Sequence, residues 1–150
     1  MKWKLAALGA VLCWACAAAD DVDSRAKISG AWQLQSGSGK ASGESWILDG
    51  KDDAIRVTQF QSGRKLAEFD CNTLGRDCEA KDSNRRVKVS FWFNGPKLVQ
   101  LETRGTDVVK RRFSVVEQGD EMEVEVIPIF PAGKPVVTRF KRVQVAAARQ

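Results

Sequence analysis

Apolar and polar residues alternate with a period of two along short segments of this chain. The segments are separated by Gly, Asn, Asp and Pro, and no amphipathic helical period of useful length accompanies them. The pattern predicts an all-β domain. It is sharpest in Met122-Glu123-Val124-Glu125-Val126, where the apolar residues take even positions and the acids odd ones, so the two faces of the strand are defined. Just upstream, Val109, Arg111, Phe113 and Val115 share one face, and Lys110, Arg112 and Ser114 share the other. A turn at Gln118-Gly119 sets Phe113 against Val124 and Arg112 against Glu125, so opposite charges meet outside. Downstream, a loop centred on Ala132 sets Val126 against Thr138, Val124 against Phe140, Glu125 against Arg139 and Glu123 against Lys141.

Nearer the N-terminus, a loop around Gly63 pairs Ile55 with Cys71, Arg56 with Asp70 and Val57 with Phe69. If Leu74-Gly75 is the next turn, Cys71 and Cys78 fall opposite one another, and a disulfide between them forms a cross-strand staple. Val87, Val89, Phe91 and Phe93 alternate with Lys88, Ser90 and Trp92, followed by Asn94-Gly95-Pro96 and an apolar run at Leu98–Leu101. A two-residue turn there would place Val99 and Leu101 on the face of Lys88, so the expectation is an odd loop or a bulge. With segments at Ile28–Leu34 and Ser45–Leu48 added, the count is about eight to ten strands with short connections, an antiparallel up-and-down meander. Closing it into a barrel removes the exposed edges.

The ends of the chain read differently. Met1-Lys2-Trp3-Lys4, an apolar run to Trp14 and the small residues Ala15–Ala19 form the layout of a signal peptide, with cleavage expected after Ala19. The apolar run is too short for a transmembrane span, which needs about 20 residues. Lipid attachment at Cys16 is the lesser alternative. Residues 20–27 read as a flexible lead-in, 28–145 as one domain and 146–150 as a frayed tail. Removing the leader lowers the net charge from +5 to +3 and leaves Cys71 and Cys78 as an even pair, which suits an oxidising periplasmic or extracellular location. No basic stripe interleaves with stacking aromatics, so no nucleic-acid partner is expected.

Ser29-Gly30-Ala31-Trp32 near the start and Thr138–Val143 at the end resemble the first and last strands of lipocalin-like barrels. The resemblance implies a calycin-type barrel in a small exported bacterial protein. It also implies structural roles for Gly30, Trp32 and Arg142, with the arginine lying across the indole at a closed end. Parity agrees, because Arg142 shares the inward face with Phe140 and would face Met122. Thr106-Asp107-Val108 lacks the tyrosine that closes the corresponding element of classical lipocalins.

There is no histidine, which removes Ser-His, Cys-His and His-ligated metal designs. Asp52-Asp53 sits in a turn, and Glu121, Glu123 and Glu125 face outward, so paired carboxylates for glycoside chemistry are not expected either. No phosphate-cradling glycine motif is present. The chain reads as a non-enzyme without cofactor or metal. Arg111 carries the chemical interest, because an unpaired charge on an inward face is costly and something must neutralise it. It could anchor the acidic head of an amphipathic ligand, or pair with an internal acid near a barrel mouth.

Two functions are compatible with this reading. One is a carrier whose interior is lined by Val57, Phe69, Phe91, Val99, Phe113, Val124 and Phe140, with Arg111 inside. The other is a protein-binding module using an exterior around Trp92, Lys110, Arg112 and Arg139, to which Phe60 and Leu66 could add apolar area. Trp46 is a candidate core residue.

Overall fold

The computed structural model describes residues 23, 25–35, 43–82, 85–116 and 118–149. The leader, its expected cleavage point after Ala19, and Cys13 and Cys16 lie outside the described residues.

Ten antiparallel strands follow in sequence: β1 (Gly30–Leu34), β2 (Glu44–Lys51), β3 (Ala54–Gln61), β4 (Arg64–Asn72), β5 (Cys78–Asp82), β6 (Arg85–Asn94), β7 (Lys97–Arg104), β8 (Asp107–Val115), β9 (Glu121–Phe130) and β10 (Val136–Val143). They form one sheet in the order β4-β3-β2-β1-β10-β9-β8-β7-β6-β5. Sequence neighbours therefore pair throughout, except that β1 pairs with β10 and β4 does not pair with β5. The sheet curls into a nearly closed up-and-down barrel whose seam lies between β4 and β5. The Cys71–Cys78 disulfide crosses this seam, with Cα atoms 5.6 Å apart.

The alternation of the sequence is the reason for this shape. Trp32, Trp46, Leu48, Ile55, Val57, Phe69, Phe91, Leu98, Phe113, Met122, Val124 and Phe140 all point inward and are buried. Each large apolar side chain so buried contributes about 1.5–3 kcal/mol before the cost of ordering it. The expected pairs Ile55–Cys71, Val57–Phe69, Arg56–Asp70, Phe113–Val124 and Arg112–Glu125 all form. In the β3–β4 hairpin, Ser62 and Gly63 both take positive φ, the geometry of a tight hairpin turn, and the register shifts between Gln59 and Phe60. Leu66 is left as the extra residue opposite that step.

The structure corrects the expected registers in two places. β10 is displaced by two residues along β9, so Thr138 faces Val124, Phe140 faces Met122, Arg139 faces Glu123 and Lys141 faces Glu121. Val126 lies opposite Val136, and Ile127 to Phe130 pair with β8 alone. A slip of two preserves every side chain's face, which is why alternation could not detect it. Between β6 and β7 the turn is the two-residue one, Gly95-Pro96, with Trp92 opposite Val99 and Ser90 opposite Leu101. Val99 and Leu101 therefore point outward, while Leu98, Gln100 and Glu102 point inward.

Both ends of the described chain are more ordered than their composition suggests. Residues 25–28 are helical and close one end of the barrel, with Ile28 buried and the Arg25 guanidinium 4.7 Å from the ring centre of Phe93. At the C-terminus, Val145–Ala148 forms a helical turn rather than a frayed tail. It rests on the outside of β1 and β2, where the Ser45 hydroxyl donates to the Ala148 carbonyl. Phe60, opposite Ser45 on that outer face, is buried rather than exposed.

The plugged end is locked by the residues that the lipocalin resemblance points to. Arg142 lies opposite Trp32, its guanidinium 4.1 Å from the indole ring centre. It donates to the carbonyls of Gly119 (2.6 Å), Ser29 (2.8 Å) and Lys27 (2.6 Å). Trp32 Nε1 donates to the Ile28 carbonyl at 3.0 Å. Burial lowers the Arg142 pKa from its ordinary value, while the carbonyls and the indole face favour its charged form. Gly30 has φ +147°, and a side chain there would overlap Arg142 Nη1, so glycine is required by backbone and space alike.

Candidate functional site

Inward residues fall into two tiers. Towards the plug they are apolar and fully buried. Towards the opposite end, where β1 leads to β2 and β9 leads to β10, they include the half-buried Leu34, Glu44, Gln59, Glu102, Val109, Arg111, Val126 and Thr138. This upper tier, a polar floor ringed by apolar side chains and lying above a packed base, is the candidate site.

Parity on β7 and β8 builds the floor. Gln100 lies opposite Arg111, and Glu102 opposite Val109. Arg111 Nη1 donates to Glu102 Oε2 at 2.8 Å, with side-chain exposures of 18% and 12%, so the pair is largely withdrawn from water. Arg104 Nη2 donates to Glu102 Oε1 at 3.2 Å, and Gln100 Nε2 to Glu102 Oε2 at 3.3 Å. A buried ion pair needs such additional bonds to offset the desolvation of its charges. Across the interior, Arg111 stands 6.0 Å above the Trp46 ring centre, and the Trp46 ring meets Phe113 edge-on at 5.6 Å. Glu44 Oε1 accepts from Trp46 Nε1 at 2.8 Å and from Gln59 Nε2 at 3.3 Å. Gln100 itself is fully buried, and its Oε1 has no hydrogen-bond partner among the described residues.

Several residues expected from sequence meet here. Arg111 is inward, and Glu102 is the acid that neutralises it. Phe91, Phe113, Phe69, Val124 and Phe140 share the interior, all of them buried. Val99 does not join them, for the register reason given above. Gln100, Glu102, Glu44 and Gln59 were not anticipated. The signal that could have revealed the first two was a two-residue turn within Asn94-Gly95-Pro96, whose register points both side chains inward. The outer surface departs from expectation at Trp92 and Arg139, while the Arg112–Glu125 pair forms as expected. Trp92 is half-buried and bridges to Leu74, Arg112 is paired with Glu125, and Arg139 with Glu123. Exposed apolar area gathers instead on the β9–β10 hairpin, at Ile129, Phe130, Val136 and Val137. Among the described residues no group of three or more potential metal ligands forms, and no helix is long and apolar enough to cross a membrane.

The architecture is that of a lipocalin-like or fatty-acid-binding-protein-like barrel. No protein-family model and no curated protein sequence matches the chain. Among solved structures, it is similar to a secretory abundant heat soluble (SAHS) protein from Ramazzottius varieornatus, with TM-score 0.64, 12% identity, and coverage of 78% of this chain and 96% of that one. It is also similar to fatty-acid-binding protein 1 of Echinococcus granulosus, with TM-score 0.62, 11% identity, and coverage of 79% and 98%. At these identities the likeness establishes the fold.

Proposed function

We propose that this chain is an exported carrier that takes a small apolar or amphipathic ligand into the end of the barrel opposite its plug, and that it binds without catalysing a reaction. The observation that carries this reading is the polar cluster of the fully buried Gln100 and the half-buried Glu44, Glu102 and Arg111, set inside an apolar barrel. Polar groups placed within an apolar enclosure orient an amphipathic ligand. The name of one structural neighbour, a fatty-acid-binding protein, agrees with a carrier role. Export is supported by the leader-like residues 1–19 and by a disulfide suited to an oxidising compartment. Native mass spectrometry and lipid extraction of protein purified from its own host test the proposal. A stoichiometric adduct released by organic solvent is expected, and protein that is free of lipid and takes up none when offered it sinks the idea.

A second reading has its own support. Ile129, Phe130, Val136 and Val137 form an exposed apolar hairpin, which a protein partner could cover. A photo-crosslinker at Ile129 in the native host should then capture one reproducible partner, and capture should be lost with Phe130→Ser.

A further inference from the structure

Building on the carrier reading, we infer that the interior site selects an uncharged head group that donates a hydrogen bond, an alcohol or amide on an apolar tail, over a free carboxylate. The cluster is already balanced in charge. Glu102 is held at once by Arg111 Nη1, Arg104 Nη2 and Gln100 Nε2, and Glu44 by Trp46 Nε1 and Gln59 Nε2. Arg111 Nη1 is engaged by Glu102, so a ligand carboxylate would have to bind the same guanidinium beside Glu102 or take its place. That would leave two anions side by side in a place largely withdrawn from water, with Glu44 as a further negative charge across the Trp46 ring. Arg111, already neutralised by Glu102, is therefore a poor anchor for an acidic head.

The unmet bonding capacity of the cluster is an acceptor. Gln100 is fully buried, and its Oε1 has no partner among the described residues, an expensive arrangement for a carbonyl oxygen. Rotating the amide does not relieve it, because that would turn the oxygen towards the Glu102 carboxylate and forfeit the Nε2 bond. The orientation is fixed by the neighbouring acid, and what the oxygen lacks is a donor. A hydroxyl or amide supplies one without adding charge.

Titration calorimetry at pH 7 with 1-decanol and decanoate, on delipidated protein and two variants, tests the inference. Decanol enters any apolar cavity more readily than its acid, so the comparison that decides is between variants. Glu102→Gln should release Arg111 and raise decanoate affinity about tenfold or more, while Gln100→Leu should weaken decanol about tenfold and leave decanoate unchanged. If native protein binds decanoate as tightly as decanol, or if Glu102→Gln leaves decanoate affinity where it was, the head-group assignment is wrong and the carrier reading survives. If neither compound binds and protein from the host carries no lipid, the carrier reading itself fails. Glu102→Gln keeps the size and planar shape of the side chain, Gln100→Leu replaces the amide with a shorter apolar group, and a binding change accompanied by loss of the cooperative unfolding transition would also overturn the assignment.

Discussion

Cys71 and Cys78 bond the two margins of the sheet to each other, although the strands that carry them, β4 and β5, are not paired. Elsewhere around the barrel a ladder of backbone hydrogen bonds joins each strand to the next. At the seam a covalent bond takes that role near the plugged end.

Replacing both cysteines with alanine should therefore destabilise the barrel. Loop-closure entropy for so short a link gives about 2.5 kcal/mol, or a fall of roughly 10 °C in Tm. Thermal unfolding with and without reductant checks this, and the double variant should be insensitive to reductant.

Arg142→Leu should cost roughly 2–4 kcal/mol, because the carbonyls of Lys27, Ser29 and Gly119 lose a charged donor and Trp32 loses its cation. Arg142→Lys should recover less than half of that, since an ammonium cannot present the planar fork that reaches three carbonyls. Urea unfolding of the three proteins measures both differences.

Gly30→Ala should destabilise by about 1–3 kcal/mol through its φ of +147° and through overlap with Arg142. Combined with Arg142→Leu, the loss should be smaller than the sum, because the second change removes the group that the new methyl would strike. A double-mutant cycle in urea gives the coupling directly.

Charge reversal on the outside should matter far less. Glu125→Arg breaks a partly exposed pair with Arg112 and should cost about 1 kcal/mol or less, with most of the loss recovered by adding Arg112→Glu. Rising salt should narrow the difference between native and reversed proteins.

Shortening the chain after Val143 should uncover the outer face of β2 and remove the acceptor of the Ser45 hydroxyl. A loss of about 1–2 kcal/mol is expected, and Ser45→Ala should account for about half of it. Denaturation curves of the truncated and point variants check the ratio.

Much of the barrel was legible because burial imposes a strict period on an antiparallel strand. Val57 with Phe69 and Phe113 with Val124 could be paired from alternation alone. The same criterion is blind to slips of two, and β10 slipped along β9 for that reason. It also fails where a strand reverses the usual rule. β7 points Gln100 and Glu102 inward and Val99 and Leu101 outward, so an assumption that apolar means inside assigned the wrong turn and hid the polar floor. Arg111 announced that an interior partner must exist, and Glu102 was concealed by that one turn. The helical segments at 25–28 and Val145–Ala148 were missed because they are too short to show a period and owe their form to what they pack against.

The clamp on the plug has a bearing on when the molecule can become whole. Its donor, Arg142, stands in the last strand, while two of the carbonyls it grips belong to Lys27 and Ser29, ahead of the first. A polypeptide made from its amino end must therefore have released its tenth strand before the latch can engage. Until then the base of the barrel stays unfastened, however complete the nine strands already made.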